Sequence, residues 1–322
     1  MISSEGQSSG YIPVSVNTLV LDTCTGFRLY LQSTRQSPFR LYCAENVPFL
    51  REHLDNLKQT GHRAVYISAA DHEHYQQYLR DNLTGILGNE SITVQERFSA
   101  LNLVVKDVLA ESMFGGGKSP QLGRMREMAS VCVELLLRDD CVARDLVGVL
   151  HHDYHTFTHS ANVAFYCVML ANALGISDTA ALREIALGGF LHDLGTLDVP
   201  DRILQKPDRL NEREFDEVRD HPRNGFGKLA QRNDLSRGEL MMVYQHHERM
   251  DGNGYPVGCG GREIHDWARL CSVVDAYEAM TSERTYRPRM SRAEALRILD
   301  RDANKKFDAE FVKCWRSTVV KS

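Results

Sequence analysis

The segment at 246–256, HHERMDGNGYP, constrains this chain more than any other part of its sequence. Two adjacent histidines run directly into a turn in which Gly252 and Gly254 permit backbone angles that other residues avoid. The chain must therefore reverse sharply, which brings Tyr255 back beside the imidazoles. Adjacent side chains on a helix point about 100° apart, so a site that used both histidines would hold two metals or a metal with a bridging ligand. The segment predicts one wall of a metal site.

Length, charge and hydropathy limit the class of protein. With 322 residues the chain exceeds what one hydrophobic core usually serves, which favours two domains. A net charge of -5 argues against binding an extended nucleic acid, but it permits a small phosphate ligand. No apolar run approaches the ~18 to 20 residues that span a bilayer, and the polar N-terminus lacks the features of a signal peptide. We therefore expect a cytoplasmic protein that neither inserts into a membrane nor binds a nucleic acid polymer.

The periodicity of apolar residues divides the chain into three parts. Residues 1–90 predict a small N-terminal α/β domain with a regulatory role. The predicted strands are at 14–16, 27–31, 39–42 and 64–67, and the predicted helix is at 48–61. Residues 91–120 predict a linker helix and a glycine-rich break. Residues 121–322 are helically periodic with almost no strand signal, which predicts an all-α domain. The expected fold class is α+β overall, and a homodimer would form through the N-terminal domain or the linker helix.

Histidine is concentrated in one region of the sequence, since nine of the thirteen histidines lie between residues 151 and 265. Within and just after this region, imidazoles and carboxylates sit on or beside five predicted helical segments. Such a pattern is expected when facing helices of a bundle project ligands inward. The set consists of His159, His192, Asp193, His221, His246, His247 and Asp275. Five imidazoles and two carboxylates are too many for one ion.

The chemistry of this set favours a pair of divalent ions. Mixed imidazole and carboxylate ligation without thiolate suits iron, manganese or similar ions. Two ions ~3.5 to 4 Å apart would stabilise both the attacking and the leaving oxygen of a phosphoryl displacement. Asp193, next to His192, is the carboxylate expected to bridge them. Any one of these histidines taken alone is more often a surface or core residue than a ligand. Asp275 is less easily explained as a residue that is not a ligand, because an unpaired carboxylate would be costly to bury in its apolar helix.

The order of motifs in the second half of the chain resembles the HD-GYP family. The matching segments read HDLG, PDRILQKP, HP and HHERMDGNGYP, and they begin at His192, Pro200, His221 and His246, with Asp275 after them. The resemblance covers residues from about 150 to 315 and implies a helical HD-type domain with two or three divalent metals. It implies hydrolysis of the bacterial second messenger cyclic di-GMP to pGpG, with GMP as a further product. It also implies that the seven side chains named above are the metal ligands.

The resemblance further implies groups that act on the substrate. Arg284 and Arg287 stand where the family holds the phosphates of its ligand, and guanidinium forks suit phosphate oxygens. The structural alternative is that both arginines are solvated and pair with nearby glutamates. Asp193, Tyr255 and Arg284 are the residues expected to take part in catalysis.

Tyr255 matches the signature tyrosine of the family. The resemblance implies that it lies near the bound dinucleotide, or that the turn at Gly254-Tyr255-Pro256 docks partners such as diguanylate cyclases or adaptor proteins. The structural alternative is an aromatic plug that holds the glycine turn against the bundle. The sequence leaves these interpretations open.

Two positions depart from the family pattern. Most relatives have a lysine directly after HDxG, where this chain has Thr196, so it lacks a cation expected to neutralise charge on the scissile phosphate. His155 lies four residues before His159, where members with a third metal carry a glutamate. On a helix both imidazoles would share a face, which makes His155 a candidate ligand of a third metal, but a helix cap at Thr156 or Thr158 would leave it in a loop.

The leading hypothesis is a metal-dependent cyclic di-GMP phosphodiesterase that holds iron or manganese. Thr196 motivates a second hypothesis, a catalytically weak receptor in which the same centre binds the nucleotide and the 246–256 turn relays occupancy to a partner. Oxygen activation at a di-iron centre, known for the broader HD superfamily, is least favoured, because this turn and the arginines match the phosphodiesterase pattern.

Overall fold

The computed structural model describes residues 10–32, 37–62, 64–89, 92–114, 121–138, 156–204, 206, 208–282 and 289–320. The chain forms two compact units, Met1–Val104 and Val105–Ser322. The more detailed division into 1–90, 91–120 and 121–322 stays a prediction.

The first unit contains a four-stranded antiparallel sheet. Its strands β1 to β4 are Tyr11–Ser15, Leu29–Leu31, Arg40–Cys43 and Ala64–Ser68. Their order is β1-β4-β2-β3, and each neighbouring pair is antiparallel. Leu29, Val65 and Ile67 are completely buried, because alternate residues of a strand point to the same face. Each of the four predicted strands overlaps one of these.

Three helices follow strands of this sheet, α1 (Arg51–Gln59), α2 (His72–Gly88) and α3 (Val94–Phe114), and α3 includes the boundary between the units. Helix α2 was not predicted from the sequence, because its first turn is polar. Its buried residues nevertheless recur at helical spacing, and they include Tyr75 and Tyr78. The two phenols anchor the helix, since Tyr75 Oη lies 2.9 Å from Thr18 Oγ1 and Tyr78 Oη accepts from the Val20 N–H at 2.7 Å.

After α3, the described residues of the second unit form ten α-helices. They are α4 to α13, at Leu122–Arg138, Thr156–Ala173, Thr179–Leu191, Asp201–Leu204, Glu212–Arg219, His221–Leu229, Arg237–Gln245, Asp266–Thr281, Arg292–Asp302 and Ala309–Val320. The described part of this unit contains no strand, which confirms the all-α prediction. Seven of these helices overlap segments predicted to be helical from the sequence, at 125–137, 160–174, 179–194, 212–220, 237–246, 268–280 and 291–301, whereas α7, α9 and α13 were not predicted. None of the described helices is long and apolar enough to cross a membrane.

Helices α5 and α6 form the centre of the second unit. Every residue of α5 from His159 to Ala171 is buried, as expected for a helix surrounded by other helices. Gly189 allows α6 to approach it closely, because a Cβ at this position would lie 2.6 Å from the Cα of Ala164. This crossing fixes the distance between His159 on α5 and His192, which directly follows α6.

Replacing Gly189 with alanine should lower the stability of the protein, because the new methyl group would collide with the backbone of Ala164 rather than with a flexible side chain. Overpacking of this kind costs about 1 to 3 kcal/mol. Gly123→Ala on α4 is a matched control, since a Cβ there has nothing within 4 Å and alanine is the better helix former. Urea denaturation measures both variants. Equal unfolding free energies would contradict the close crossing.

Candidate metal centre

Seven side chains converge inside the second unit. They come from α5, from the end of α6 and the turn after it, from the first residue of α9, from the two residues after α10 and from α11. These side chains are His159, His192, Asp193, His221, His246, His247 and Asp275. The structure thus brings together all the predicted ligands that lie in its described residues.

The seven side chains divide into two groups of possible metal ligands. One group contains Asp193, His221, His246 and His247, and the other contains His159, His192 and Asp275. Within each group, one donor atom from every member lies within 4.8 Å of the others. Two adjacent groups of this size are the arrangement that two metal ions require.

The carboxylate of Asp193 lies between the two groups. Its Oδ1 is 3.2 Å from Nε2 of His221 and 3.7 Å from Nε2 of His246. Its Oδ2 is 3.5 Å from Nε2 of His159 and 3.6 Å from Nε2 of His192. Because one oxygen faces each group, Asp193 has the geometry of a bridging ligand.

Backbone carbonyls fix the orientation of three imidazoles. Nδ1 of His192 donates to the Gly189 carbonyl at 2.7 Å, and Nδ1 of His221 donates to the Val218 carbonyl at 2.7 Å. Nδ1 of His246 donates to the carbonyls of Met242 and Val243 at 3.0 and 3.1 Å. A ring that donates through Nδ1 leaves the lone pair of Nε2 available to bind a metal. Carbonyls that accept from Nδ1 commonly orient the histidine ligands of metals in this way.

The Nε2 atoms have the environment of metal ligands. Those of His221 and His246 lie 3.1 Å apart, and two lone pairs at this distance repel unless a metal ion or a proton lies between them. Nε2 of His192 is buried and has no hydrogen-bond partner among the described residues. Since buried polar atoms are normally paired, the donor set fits bound divalent metal ions.

Glu278 supports the remaining buried imidazole, and the sequence analysis missed this role. Its Oε2 accepts from Nδ1 of His159 at 2.5 Å. Its Oε1 accepts from Asn162 Nδ2 at 2.9 Å and from Ser282 Oγ at 2.6 Å, so the buried carboxylate is well satisfied. The available signal was its position three residues after Asp275, which places both carboxylates on one face of α11.

Burial and mutual interaction shift the pKa values of these groups. Burial lowers the pKa of His192 to about 4 and holds that of His247 well below its ordinary value. Burial alone would raise the pKa values of Asp193 and Asp275, but the neighbouring imidazoles hold both below the ordinary value. For His221, burial lowers the pKa, but the hydrogen bond and the charge of Asp193, together with the Val218 carbonyl, raise it above the ordinary value. Metal ligands must be deprotonated, and four of these five shifts favour that state.

The turn after His247 folds back onto the centre. Glu248 is buried, and its carboxylate accepts from the N–H groups of Val257 at 2.7 Å and Gly258 at 3.0 Å. The N–H of Tyr255 donates to the His247 carbonyl at 3.2 Å, and the two side-chain rings lie against each other at an angle of 36° with centroids 4.8 Å apart. The tyrosine therefore lies beside a metal-facing imidazole.

Thr196 has a structural role. Its side chain is buried, and Oγ1 donates to the Asp193 carbonyl at 2.7 Å. The hydroxyl therefore stabilises the turn that carries the bridging carboxylate. His155, Arg284 and Arg287, the other residues singled out from the sequence, lie outside the described residues.

The family of the chain follows from its match to known proteins. The HD domain family model matches residues 147–311, about half of the chain, and this segment contains all seven converging side chains. The chain therefore belongs to the HD domain family. The resemblance drawn from the motifs is confirmed.

Curated relatives match about half of the chain. A cyclic di-GMP phosphodiesterase from Pseudomonas aeruginosa is 37% identical over 184 residues, which cover 57% of this chain and 44% of the relative. A cyclic di-GMP phosphodiesterase from Thermotoga maritima is 34% identical over 167 residues, covering 51% and 45%. The 3'3'-cGAMP-specific phosphodiesterase 1 of Vibrio cholerae is 36% identical over 154 residues, covering 45% and 33%. The aligned region spans less than half the length of these relatives.

One solved structure resembles the whole chain. It is an HDG"Y"P protein from Bdellovibrio bacteriovorus, with a TM-score of 0.67 and 21% sequence identity. The likeness covers 97% of this chain and 100% of that one. It supports the fold of a small sheet-containing unit joined to a helical HD domain.

Replacing Glu278 with glutamine should weaken metal binding by about 10- to 100-fold, because His159 would lose the carboxylate that orients its ring. Glu239→Gln is a matched control, since Glu239 is also buried but belongs to neither group of ligands. Competition with a chromogenic chelator measures the affinity, and elemental analysis measures the number of ions. Wild-type affinity in the Glu278→Gln variant would contradict the supporting role.

Proposed function

We propose that this chain is a metal-dependent phosphodiesterase that hydrolyses cyclic di-GMP to pGpG and continues to GMP. The observation that carries the proposal is the position of Asp193, with one carboxylate oxygen toward each of two ligand groups. A pair of metal sites bridged by a carboxylate is a recurring device for phosphodiester hydrolysis. The choice of substrate is supported by the name of the Pseudomonas aeruginosa relative, whose alignment covers 57% of the chain.

We take iron or manganese as the resident ions, because the two groups offer imidazole and carboxylate without thiolate. Bound divalent ions would supply positive charge to the phosphoryl oxygens and lower the pKa of water into the neutral range. The residues of the chain fix the positions of both sites through buried hydrogen bonds to backbone carbonyls and to Glu278. A third site would require His155.

Tyr255 is the described residue best placed to contact the substrate beside the centre. Burial raises the pKa of its phenol above the ordinary value, so the hydroxyl stays protonated at neutral pH and can donate a hydrogen bond to a phosphate oxygen. Arg284 and Arg287 are proposed to bind the phosphates, and Arg284 supplies the positive charge that Thr196 does not. The opening of the cyclic dinucleotide thus combines Asp193, Tyr255 and Arg284.

The surface beside Tyr255 is also the proposed contact for protein partners. Asp251 and Asn253 are exposed there, and Val257 is 60% exposed. Diguanylate cyclases or adaptor proteins are the partners that this surface would dock through the Gly254-Tyr255-Pro256 turn. A homodimer is proposed through the N-terminal domain or the linker helix.

The metal-loaded protein should convert cyclic di-GMP to pGpG, which chromatography of the products will detect. His192→Ala and Asp193→Asn should each lower turnover by about 100-fold or more, because each removes a ligand that positions positive charge at the phosphate. Asp198→Asn is a matched control, since Asp198 is exposed, pairs with Lys228 and lies outside both ligand groups. The proposal fails if the loaded protein leaves cyclic di-GMP intact while His192→Ala binds metal as well as the wild type.

Thr196 favours a second candidate function, a receptor that binds cyclic di-GMP with weak turnover. Thr196→Lys should raise kcat by about 10-fold or more if the chain is an enzyme that lacks this cation, since electrostatic stabilisation of the transition state would be restored. Thr196→Ser retains the hydroxyl that bonds the Asp193 carbonyl and controls for the structural role. Tight binding without turnover in all three proteins would favour the receptor.

A further inference from the structure

A ladder of neighbouring planar side chains leads outward from the metal centre. The ring of Tyr255 lies against that of His247 at an interplanar angle of 36°, and the guanidinium of Arg219 lies over the Tyr255 ring at 5.3 Å from its centroid. The same guanidinium lies 5.7 Å from the ring centroid of Phe215. We call Tyr255, Arg219 and Phe215 the ladder. Its inner end touches a candidate metal ligand and its outer end reaches solvent.

The outer end of the ladder is open to a ligand. Phe215 is 47% exposed, and the side chain of Arg219 is 43% exposed. Residues 215 and 219 are four apart on α8, so their side chains share a face of the helix. In the described part of the chain, the ion pair of Arg219 is a 3.7 Å contact to Asp216, which is itself exposed. A pair this exposed holds a guanidinium weakly.

The chemistry of the ladder matches a purine base. Aromatic rings and guanidinium planes are the groups on which proteins stack unpaired bases. The N–H donors of an arginine also match O6 and N7 of guanine. A dinucleotide whose phosphodiester lies at the metal centre must place a base within reach of the surrounding surface, and the ladder begins beside His247.

We propose that Phe215 and Arg219 form a guanine-binding subsite of the metal centre, with Tyr255 joining the two. This assignment rests on the proposed function, because the ligand is the same cyclic dinucleotide. The subsite sets affinity for the base, whereas the seven side chains of the centre act on the phosphate. Phe215 and Arg219 are thus specificity-determining residues that contact substrate away from the reacting bond.

The test measures binding separately from turnover. Calorimetry gives the affinity of the metal-loaded protein for cyclic di-GMP and for inorganic phosphate, which has no base. Phe215→Ala and Arg219→Gln should each weaken cyclic di-GMP binding by about five- to 100-fold and raise KM, while phosphate affinity and kcat stay within about twofold. Phe215→Trp should retain binding, because a larger aromatic ring also stacks. Arg316→Gln, which removes an arginine of 46% exposure on α13, is the matched control for charge.

Each outcome decides whether Phe215 and Arg219 bind the base or only support the structure of the metal centre. Wild-type affinity for cyclic di-GMP in both Phe215→Ala and Arg219→Gln overturns the subsite. An equal loss of phosphate and cyclic di-GMP affinity also overturns it, because the residues would then support the metal centre instead of the base. Binding by the wild type without hydrolysis refutes the proposed phosphodiesterase and leaves the subsite to be judged on the variants alone.

Discussion

The contact of one carboxylate with four imidazoles organises the second unit. Asp193 places its two oxygens within 3.7 Å of Nε2 atoms of His159, His192, His221 and His246, which arrive from four different helices. Desolvation of so many polar groups is costly unless they are paired or bind a cation. The helices must therefore pack so that these side chains point to one place. The apolar core around α5 supplies the packing that holds the helices in these positions.

Backbone geometry does much of the orienting work in this centre. Three of the rings are fixed by carbonyls of helical turns, whereas the ring of His159 is oriented by the carboxylate of Glu278. A carbonyl at the end of a helix has no partner within the helix, so it is free to accept from a histidine that follows. The placement of histidines directly after α6 and α10 and at the start of α9 therefore has a physical cause as well as a chemical one.

The sequence predicted which side chains converge better than it predicted the groups that support them. Short motifs such as HD and HHE carry the chemistry of metal binding in the residue types themselves, so the seven side chains could be selected without a structure. Glu278 was missed because a glutamate on a helix usually signals a solvated face, and only tertiary contacts show that it is buried. Helix α9 was missed for the opposite reason, since its two glycines argue against a helix that packing nevertheless forms, whereas Pro222 lies in the first turn, where proline is tolerated. The carbonyl partners could not be predicted, because every residue has a carbonyl.

The crossing of α5 and α6 sets the stiffness of the candidate metal centre. Gly189 contacts the backbone of Ala164 and also accepts the hydrogen bond from His192. The span between the imidazoles of His159 and His192 is consequently set by two main chains in contact, which yield far less than side chains do. A centre built on such a crossing holds these two candidate ligands at a fixed spacing, so helix packing determines the geometry of the site as much as the side chains themselves do.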